Sequence, residues 1–473
     1  MNRIALLFVA VFFYVNLSAH PWKPQNYVII DTDCGMDDLR AICMLLASPE
    51  VRVLAITASD GVLDAETGFH KVSALLYDLH HEGIPVGVNH DTRVKTKPCM
   101  PALQTEWGRN GKTANQMPVA HEVIDAILKN TREPVTFICL GSLNTVWSAR
   151  NNCPGFTKRV KSVLWSSPAN YRKGSFNYEL DVLSADSVLV SGLKIQTIHS
   201  VGLERYDNEL VQSISHINNQ HAQKINGSLM NQITPYSTAF FDEVIPVFLH
   251  YPELFVCDTA EKRMTYVLQD SLPAVQVMDI FNTILTGETE NHNQVLNDFP
   301  MDTSFYMSDI RPIVETTLIK YGHDEWTAGV MANEMHRHLG IYAIIGVKMG
   351  IRAREYFGAG VDEMSVVSHA GMTPPFSCMN DGLQISTGAT LGHGLIRVSS
   401  DTLKLPVADF TYLNRKIRIS LKSEIRNKVE AEVKELSRIY GLDSDIYWDL
   451  VRNKAIKYWA TFNRHEIFTI ELL

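Results

Sequence analysis

The chain has 473 residues, 45% of them hydrophobic and 20% charged, enough material for two or three globular domains. Asp+Glu 52 against Lys+Arg 43 leaves a formal net charge of −9, which argues against a basic nucleic-acid footprint, so no nucleic-acid partner is expected. Only one long apolar run is present, and this excludes a multi-spanning membrane protein.

That run opens the chain. Arg3 is followed by the apolar segment Ile4–Val15 and by Leu17-Ser18-Ala19, which places a small residue before a cut. The segment is short for a bilayer span and polar sequence follows it. Residues 1–19 therefore read as a cleaved signal peptide, with an uncleaved anchor as the lesser alternative. An exported protein, periplasmic or extracellular, is expected, with no stable membrane span after cleavage. The cysteines are Cys34, Cys43, Cys99, Cys139, Cys153, Cys257 and Cys378. They are odd in number, widely spaced and without a Cys-x-x-Cys pair, so neither a disulfide framework nor a zinc ribbon follows.

Tyr27–Ile30 is a short apolar run ending at Asp31 and predicts a buried strand. Helical spacing of Leu39, Ile42, Leu45 and Leu46 predicts a helix over Asp37–Leu46. Val51–Thr57, Ile84–Val88, Val135–Leu140 and Lys161–Trp165 continue the strand series, with a helix running from about Glu66 toward His81. Alternating strands and helices predict an α/β fold with a mainly parallel, doubly wound sheet. In such folds the ligand crevice lies outside the carboxyl ends of the strands. Glu288–Tyr321, rich in Asn, Asp, Ser and Pro, reads as a boundary segment. Beyond it, Ile341, Ile344, Ile345 and Met349 mark a helix whose Gly346 and Gly350 admit another backbone. Ser386–Gly394 is a small-residue loop, and Leu413–Tyr440 reads as a charged helical tail.

Four aspartates, Asp31, Asp33, Asp37 and Asp38, fall within eight residues at the end of the first strand, a turn containing Gly35, and the start of a helix. Asp37 and Asp38 could simply complement the helix dipole, but that leaves Asp31 and Asp33 without a role. Carboxylates crowded at a strand end repel unless protons or a cation compensate. All-oxygen donors point to a hard cation, calcium before magnesium or zinc. An alternative for the same residues is an aspartate-nucleophile phosphatase, with Asp31 attacking phosphorus and Asp33 handling the proton. Gly35 and the Asp37-Asp38 pair fit that pattern poorly.

Asp31-x-Asp33-x-Gly35-x-Asp37-Asp38 after a first strand closely resembles the inosine-uridine nucleoside hydrolases. The resemblance continues through Ala55-Ile56-Thr57, Leu140-Gly141-Ser142-Leu143-Asn144, Glu179-Leu180-Asp181 and Phe241-Asp242, over about residues 26–310. It implies a bound calcium ion with Asp33, Asp38, Asp242 and the Leu140 carbonyl as ligands. It also implies ribose binding by Asp37, Glu179 and Asp181, and a small-molecule nucleoside or related riboside as substrate. Asp33 would be the general base, taking a proton from a calcium-held water while the carboxylates stabilise an oxocarbenium-like transition state. Phe241 stands where the family carries a base-activating His, and Val62 where it carries Asn. Leaving-group protonation is thus unassigned, with His199 and Tyr236 as substitutes to test. A calcium-dependent riboside-binding protein without turnover is the alternative, and a homo-oligomer is compatible with either.

Glu334-Met335-His336-Arg337-His338-Leu339-Gly340, Cys378-x-x-Asp381-Gly382 and Thr387-Gly388-Ala389-Thr390-Leu391-Gly392-His393-Gly394 resemble the E-type family of formylmethanofuran dehydrogenase proteins. The resemblance implies a smaller α+β domain over residues 323–473, with a metal, zinc being the candidate, held through His338 and Cys378. Gly340 replaces a cysteine of that family's entry motif. On a continuous helix His336 and His338 would face different ways.

Overall fold

The computed structural model describes residues 24–90, 98–109, 117–167, 175–230, 239–258, 264–287, 295–296, 299–401 and 404–473. The expected signal peptide, 1–19, and Tyr236 lie outside the described residues. Among those residues no helix is long and apolar enough to cross a membrane. All seven cysteines are free thiols.

Strands β1 (Asn26–Thr32), β2 (Val51–Ser59), β3 (Val86–Asn89), β4 (Val135–Cys139), β5 (Val160–Ser167), β6 (Ile195–His199), β7 (Phe255–Asp258) and β8 (Met264–Leu268) form one sheet. Its order is β3-β2-β1-β4-β5-β6-β8-β7. Neighbours pair in parallel except at the β7–β8 edge. Val28, Ile29 and Ile30 of β1 are fully buried, as a strand covered on both faces requires. The chain runs outward from β1 through β2 to β3 and then returns to β4 on the other flank. The order reverses between β1 and β4, and in open α/β sheets the carboxyl ends at such a switch point are where ligands bind. There Asp31 pairs with Cys139, and the Leu140 N–H donates to the Asp31 carbonyl at 2.9 Å.

The second unit is α+β. Strands β9 (Ser365–Ser368), β10 (Ile396–Val398), β11 (Val407–Tyr412), β12 (Arg415–Leu421) and β13 (Phe468–Leu472) form a mixed sheet in the order β10-β9-β11-β12-β13. The helix Ile341–Phe357 packs closely on Met379–Thr387 because both surfaces are bare at the contact. A Cβ on Gly346 would lie 2.2 Å from the Met379 carbonyl oxygen, and one on Gly382 2.1 Å from that of Ala343.

Two expectations change. The segment read as a boundary contains the helix Arg311–Tyr321, whose Val314, together with Ile310, joins the second unit's core; the first unit's core ends at Leu285. The segment Leu413–Tyr440 is not a continuous helix: β12, with Ile417, Ile419 and Leu421 alternately buried, precedes the helix Ser423–Tyr440. The two units meet through the turn after the helix Ala65–Asp78. The His80 ring stacks on His465 at 3.4 Å, the Arg352 guanidinium bonds the His80 carbonyl and Glu82, and the Gly83 N–H donates to the Tyr356 carbonyl at 2.7 Å.

Candidate active site

The acidic motif occupies the switch point. β1 ends at Thr32, Cys34 adopts φ +66°, and Gly35 caps the helix Met36–Ala47. Thr32 Oγ1 accepts from the Cys34 N–H at 3.0 Å and donates to Asp38 Oδ1 at 2.5 Å. The second Asp38 oxygen accepts from the Gly35 N–H at 3.1 Å, a bond back to the N-cap backbone that fixes this carboxylate at the helix start. Asp31 has a different part. It is fully buried and accepts from Thr57 Oγ1 at 2.6 Å and Ser59 Oγ at 2.9 Å, binding β1 to β2. Committed in this way it is not free to attack phosphorus, and the phosphatase reading loses its nucleophile.

Asp33 is buried beneath the turn after β2. One oxygen accepts from the Val62 N–H at 3.3 Å. Gly61 and Gly141 give it room: a Cβ on Gly61 would lie 2.2 Å from Asp33 Oδ2, and one on Gly141 3.0 Å from the Asp33 Cβ. Asp242 arrives from just before the helix Val244–His250 and accepts from Ser166 Oγ, at the carboxyl end of β5, at 2.5 Å. Carboxylate oxygens of Asp37, Asp38 and Asp242 all lie within 4.8 Å of one another. No other group of three His, Cys, Asp or Glu ligand atoms meets that spacing among the described residues.

The electrostatics of this cluster are unfavourable without a counter-charge. Burial first, then Asp38 and Asp37, pushes Asp33 well above the usual carboxylate range. Burial and Asp37 push Asp38 up to about 7, and burial with Asp37 and Asp38 pushes Asp242 well above the usual carboxylate range. Buried oxygens that resist ionisation together fit a divalent cation with oxygen ligands.

The other expected site residues lie on β4, on two short helices and on β6. The Leu140 carbonyl does lie at the carboxyl end of β4, where it accepts from Asn177 Nδ2 at 2.6 Å. Glu179 is exposed on the short helix Phe176–Leu180. Asp181 is buried but serves as the N-cap of the helix Val182–Leu189. It accepts from the Ser184 N–H at 3.0 Å, Ser184 Oγ at 2.7 Å and Asn144 Nδ2 at 2.6 Å. Its carboxylate takes part in these local bonds, and ribose binding by Glu179 and Asp181 is carried forward as a proposal. Asn177, two residues before Glu179, is what faces the strand ends, since the same Nδ2 also donates to the Ser166 carbonyl at 3.0 Å. Asn177 and Ser166 carry no charge and so give no signal in the sequence. His199 sits at the end of β6, where its Nδ1 meets the Val201 backbone at 3.0 and 3.2 Å.

Behind the cluster lies a buried ion pair also missed in the sequence. Arg40 Nε bonds Glu243 Oε1, with the side chains 1% and 0% exposed. In the second unit the helix His323–His336 stops at His336, and Arg337 turns left-handed at φ +68°. The turn brings the His336 and His338 rings to 4.2 Å, contrary to the expectation for a continuous helix. His336 Nδ1 contacts Asp381 Oδ2 at 2.7 Å. His338 packs on Trp448, and Cys378 precedes the helix Met379–Thr387. His338 and Cys378 are not part of any three-donor cluster among the described residues.

The profile of the family described as inosine-uridine preferring nucleoside hydrolase matches residues 28–302. A second profile, described as FmdE, molybdenum formylmethanofuran dehydrogenase operon, matches residues 335–456. The pyrimidine-specific ribonucleoside hydrolase RihA of Salmonella enteritidis is 29% identical over 206 residues, 38% of this chain and 65% of that protein. Its counterpart in Salmonella paratyphi B is 28% identical over the same shares. The chain thus spans about two thirds, 65%, of the length of these curated relatives. Among solved structures, a plant nucleoside hydrolase, PpNRh1, aligns with TM-score 0.48 and 18% identity over 56% of this chain and 100% of that one. The inosine-uridine preferring nucleoside hydrolase of Bacillus anthracis gives 0.45 and 16% over the same shares. With the motif at the switch point of its parallel sheet and a profile match across more than half its length, the chain belongs to the inosine-uridine preferring nucleoside hydrolase family.

Proposed function

We propose that this chain is an exported, calcium-dependent ribonucleoside hydrolase that splits the N-glycosidic bond of a nucleoside to free base and ribose. The observation that carries the reading is the convergence of the Asp37, Asp38 and Asp242 oxygens within 4.8 Å at the carboxyl end of the central strand. Asp38, Asp242, Asp33 and the Leu140 carbonyl would hold the ion, and Asp37, half-buried at the crevice, would bind the ribose hydroxyls together with Glu179 and Asp181. Bound there, a divalent cation neutralises the carboxylates and orients water and the ribose diol. Asp33 accepts the proton of the attacking water as general base. The surrounding carboxylates stabilise positive charge developing on the sugar. Asn177 holds the Leu140 and Ser166 carbonyls in register, and with them the strand ends that face the sugar.

The test is incubation of the purified full chain with a panel of purine and pyrimidine ribonucleosides, before and after chelation and with calcium restored. Free base is measured by chromatography. Release that stops on chelation and returns with calcium is expected; no release from any nucleoside refutes hydrolysis. Phe241, which offers no proton donor beside Asp242, favours a binding-only version. That version predicts calcium-dependent nucleoside binding with no base released.

Export is proposed from Arg3, the Ile4–Val15 segment and Leu17-Ser18-Ala19, and is checked by N-terminal sequencing of the protein from its native host. For the second unit we propose a metal-binding role, with zinc at His338 and Cys378. Metal content compared between wild type and Cys378→Ala tests this, and equal content removes Cys378 as a ligand.

A further inference from the structure

We propose that Arg40 is a positioning residue for the metal centre, acting on Asp242 through the segment 239–243. The proposal rests on reading Asp37, Asp38 and Asp242 as a calcium site.

The three carboxylates ride on two pieces of chain about two hundred residues apart in sequence. Asp37 and Asp38 begin the helix Met36–Ala47, and Asp242 precedes the helix Val244–His250. Arg40 lies in the first of these helices, two residues beyond Asp38, and reaches the second piece at three points. Its Nε bonds Glu243 Oε1, its Nη2 donates to the Ala239 carbonyl at 2.7 Å, and its guanidinium lies 5.1 Å from the centre of the Phe240 ring. These contacts bracket Asp242 on both sides. A single planar group therefore fixes the spacing between the carriers of the three donor oxygens.

Stability alone is a weak reason to keep this pair. Both side chains are withdrawn from water, and a buried ion pair is often replaced by neutral residues without loss. A carboxylate next to Asp242 is also a hazard to the site. Among the described residues Glu243 Oε2 is buried with no hydrogen-bond partner, so without Arg40 this side chain is a competing oxygen donor one residue from the intended one. Arg40 holds Glu243 against the helix and leaves Asp242 as the oxygen presented to the ion.

The test is the double variant Arg40→Met/Glu243→Gln in the full chain, which keeps net charge and approximate volume. Calcium affinity is measured by titration calorimetry and Tm in the presence of chelator. Affinity should fall about 10–100-fold, the usual effect of losing an outer-shell partner. Tm in chelator should be unchanged or higher. Arg40→Lys, which keeps the charge but cannot reach all three partners, should fall between wild type and the double variant. Wild-type affinity in the double variant overturns the proposal, as does a loss of affinity matched by a loss of Tm in chelator. If the double variant does not fold, wild-type affinity in Arg40→Lys overturns it. Absence of calcium binding by the wild type instead refutes the metal reading beneath it.

Discussion

The glycine after β2 offers a sharp probe of Asp33. In Gly61→Ala the new Cβ would stand 2.2 Å from Asp33 Oδ2 and 2.5 Å from the Asp33 Cβ, where ordinary carbon contacts need about 3.5 Å. Something must move by about 1 Å. The turn cannot swing away freely, because the Gly61 N–H donates to the Leu63 carbonyl at 2.8 Å and the Leu63 N–H to the Asp33 carbonyl at 3.0 Å. Gly61 is also outside the left-handed region, so its backbone accepts alanine and the strain falls on the carboxylate. Overpacking of this kind costs about 1–3 kcal/mol of stability. Displacing a reacting group by about 1 Å costs about 100-fold in rate. The assay is kcat for ribose release at saturating calcium and nucleoside, with Tm measured alongside. Gly227→Ala is the control: this helical glycine has nothing among the described residues within 4 Å of its would-be Cβ, and alanine there should be neutral or stabilising by about 0.5–1 kcal/mol. A folded Gly61→Ala protein with wild-type kcat would refute the placement of Asp33 as the base.

Asn177→Ala removes the donor to the Leu140 and Ser166 carbonyls and should weaken calcium binding about 10–100-fold in activation curves run in calcium buffers; an unchanged curve counts against it. Asp181→Ala should lower stability by about 0.5–2 kcal/mol as a lost N-cap and raise KM for nucleoside through its proposed ribose contact. An unchanged KM would remove that ribose role. Between the units, burial and the neighbouring His465 depress His80 to about 3, and burial with His81 depresses His221 to about 3. The unfolded chain takes up these protons first, so the stability they contribute is complete above about pH 6.5 and is lost as pH falls toward 3. Tm should therefore drop between pH 6.5 and 4, and His80→Asn, which suits the positive φ at that position, should flatten the slope. An identical slope in that variant would remove His80 as a source.

Much of the first unit is legible in the sequence because its signals are local. The apolar run before Asp31 marks β1, and carboxylates crowded after it have few uses besides a cation. Asp33, Asp37 and Asp38 sit within one turn of chain, so their proximity follows from spacing. Asp242 does not: its place beside Asp38 depends on the return of a distant segment, and only the resemblance to a family pointed to it. Asn177 is not legible because an uncharged amide carries no electrostatic signature, whereas the charges of Glu179 and Asp181 do. Nothing local in the sequence shows that Arg40 has its partner at Glu243. In the second unit the helix Arg311–Tyr321 was obscured by a weak apolar stripe. The approach of His336 to His338 depends on a left-handed turn at Arg337 that helical periodicity cannot show.

The proposed reaction has this buried acidic cluster breaking a glycosidic bond with Asp33 as the base. The most direct measurement is the rate of reducing-sugar release from inosine and uridine at saturating calcium, wild type against Asp33→Asn, with calcium binding of both proteins confirmed. Loss of a general base lowers such rates by about 10²–10⁴-fold, and a fall of that size is expected. Equal rates in the two proteins would contradict the account.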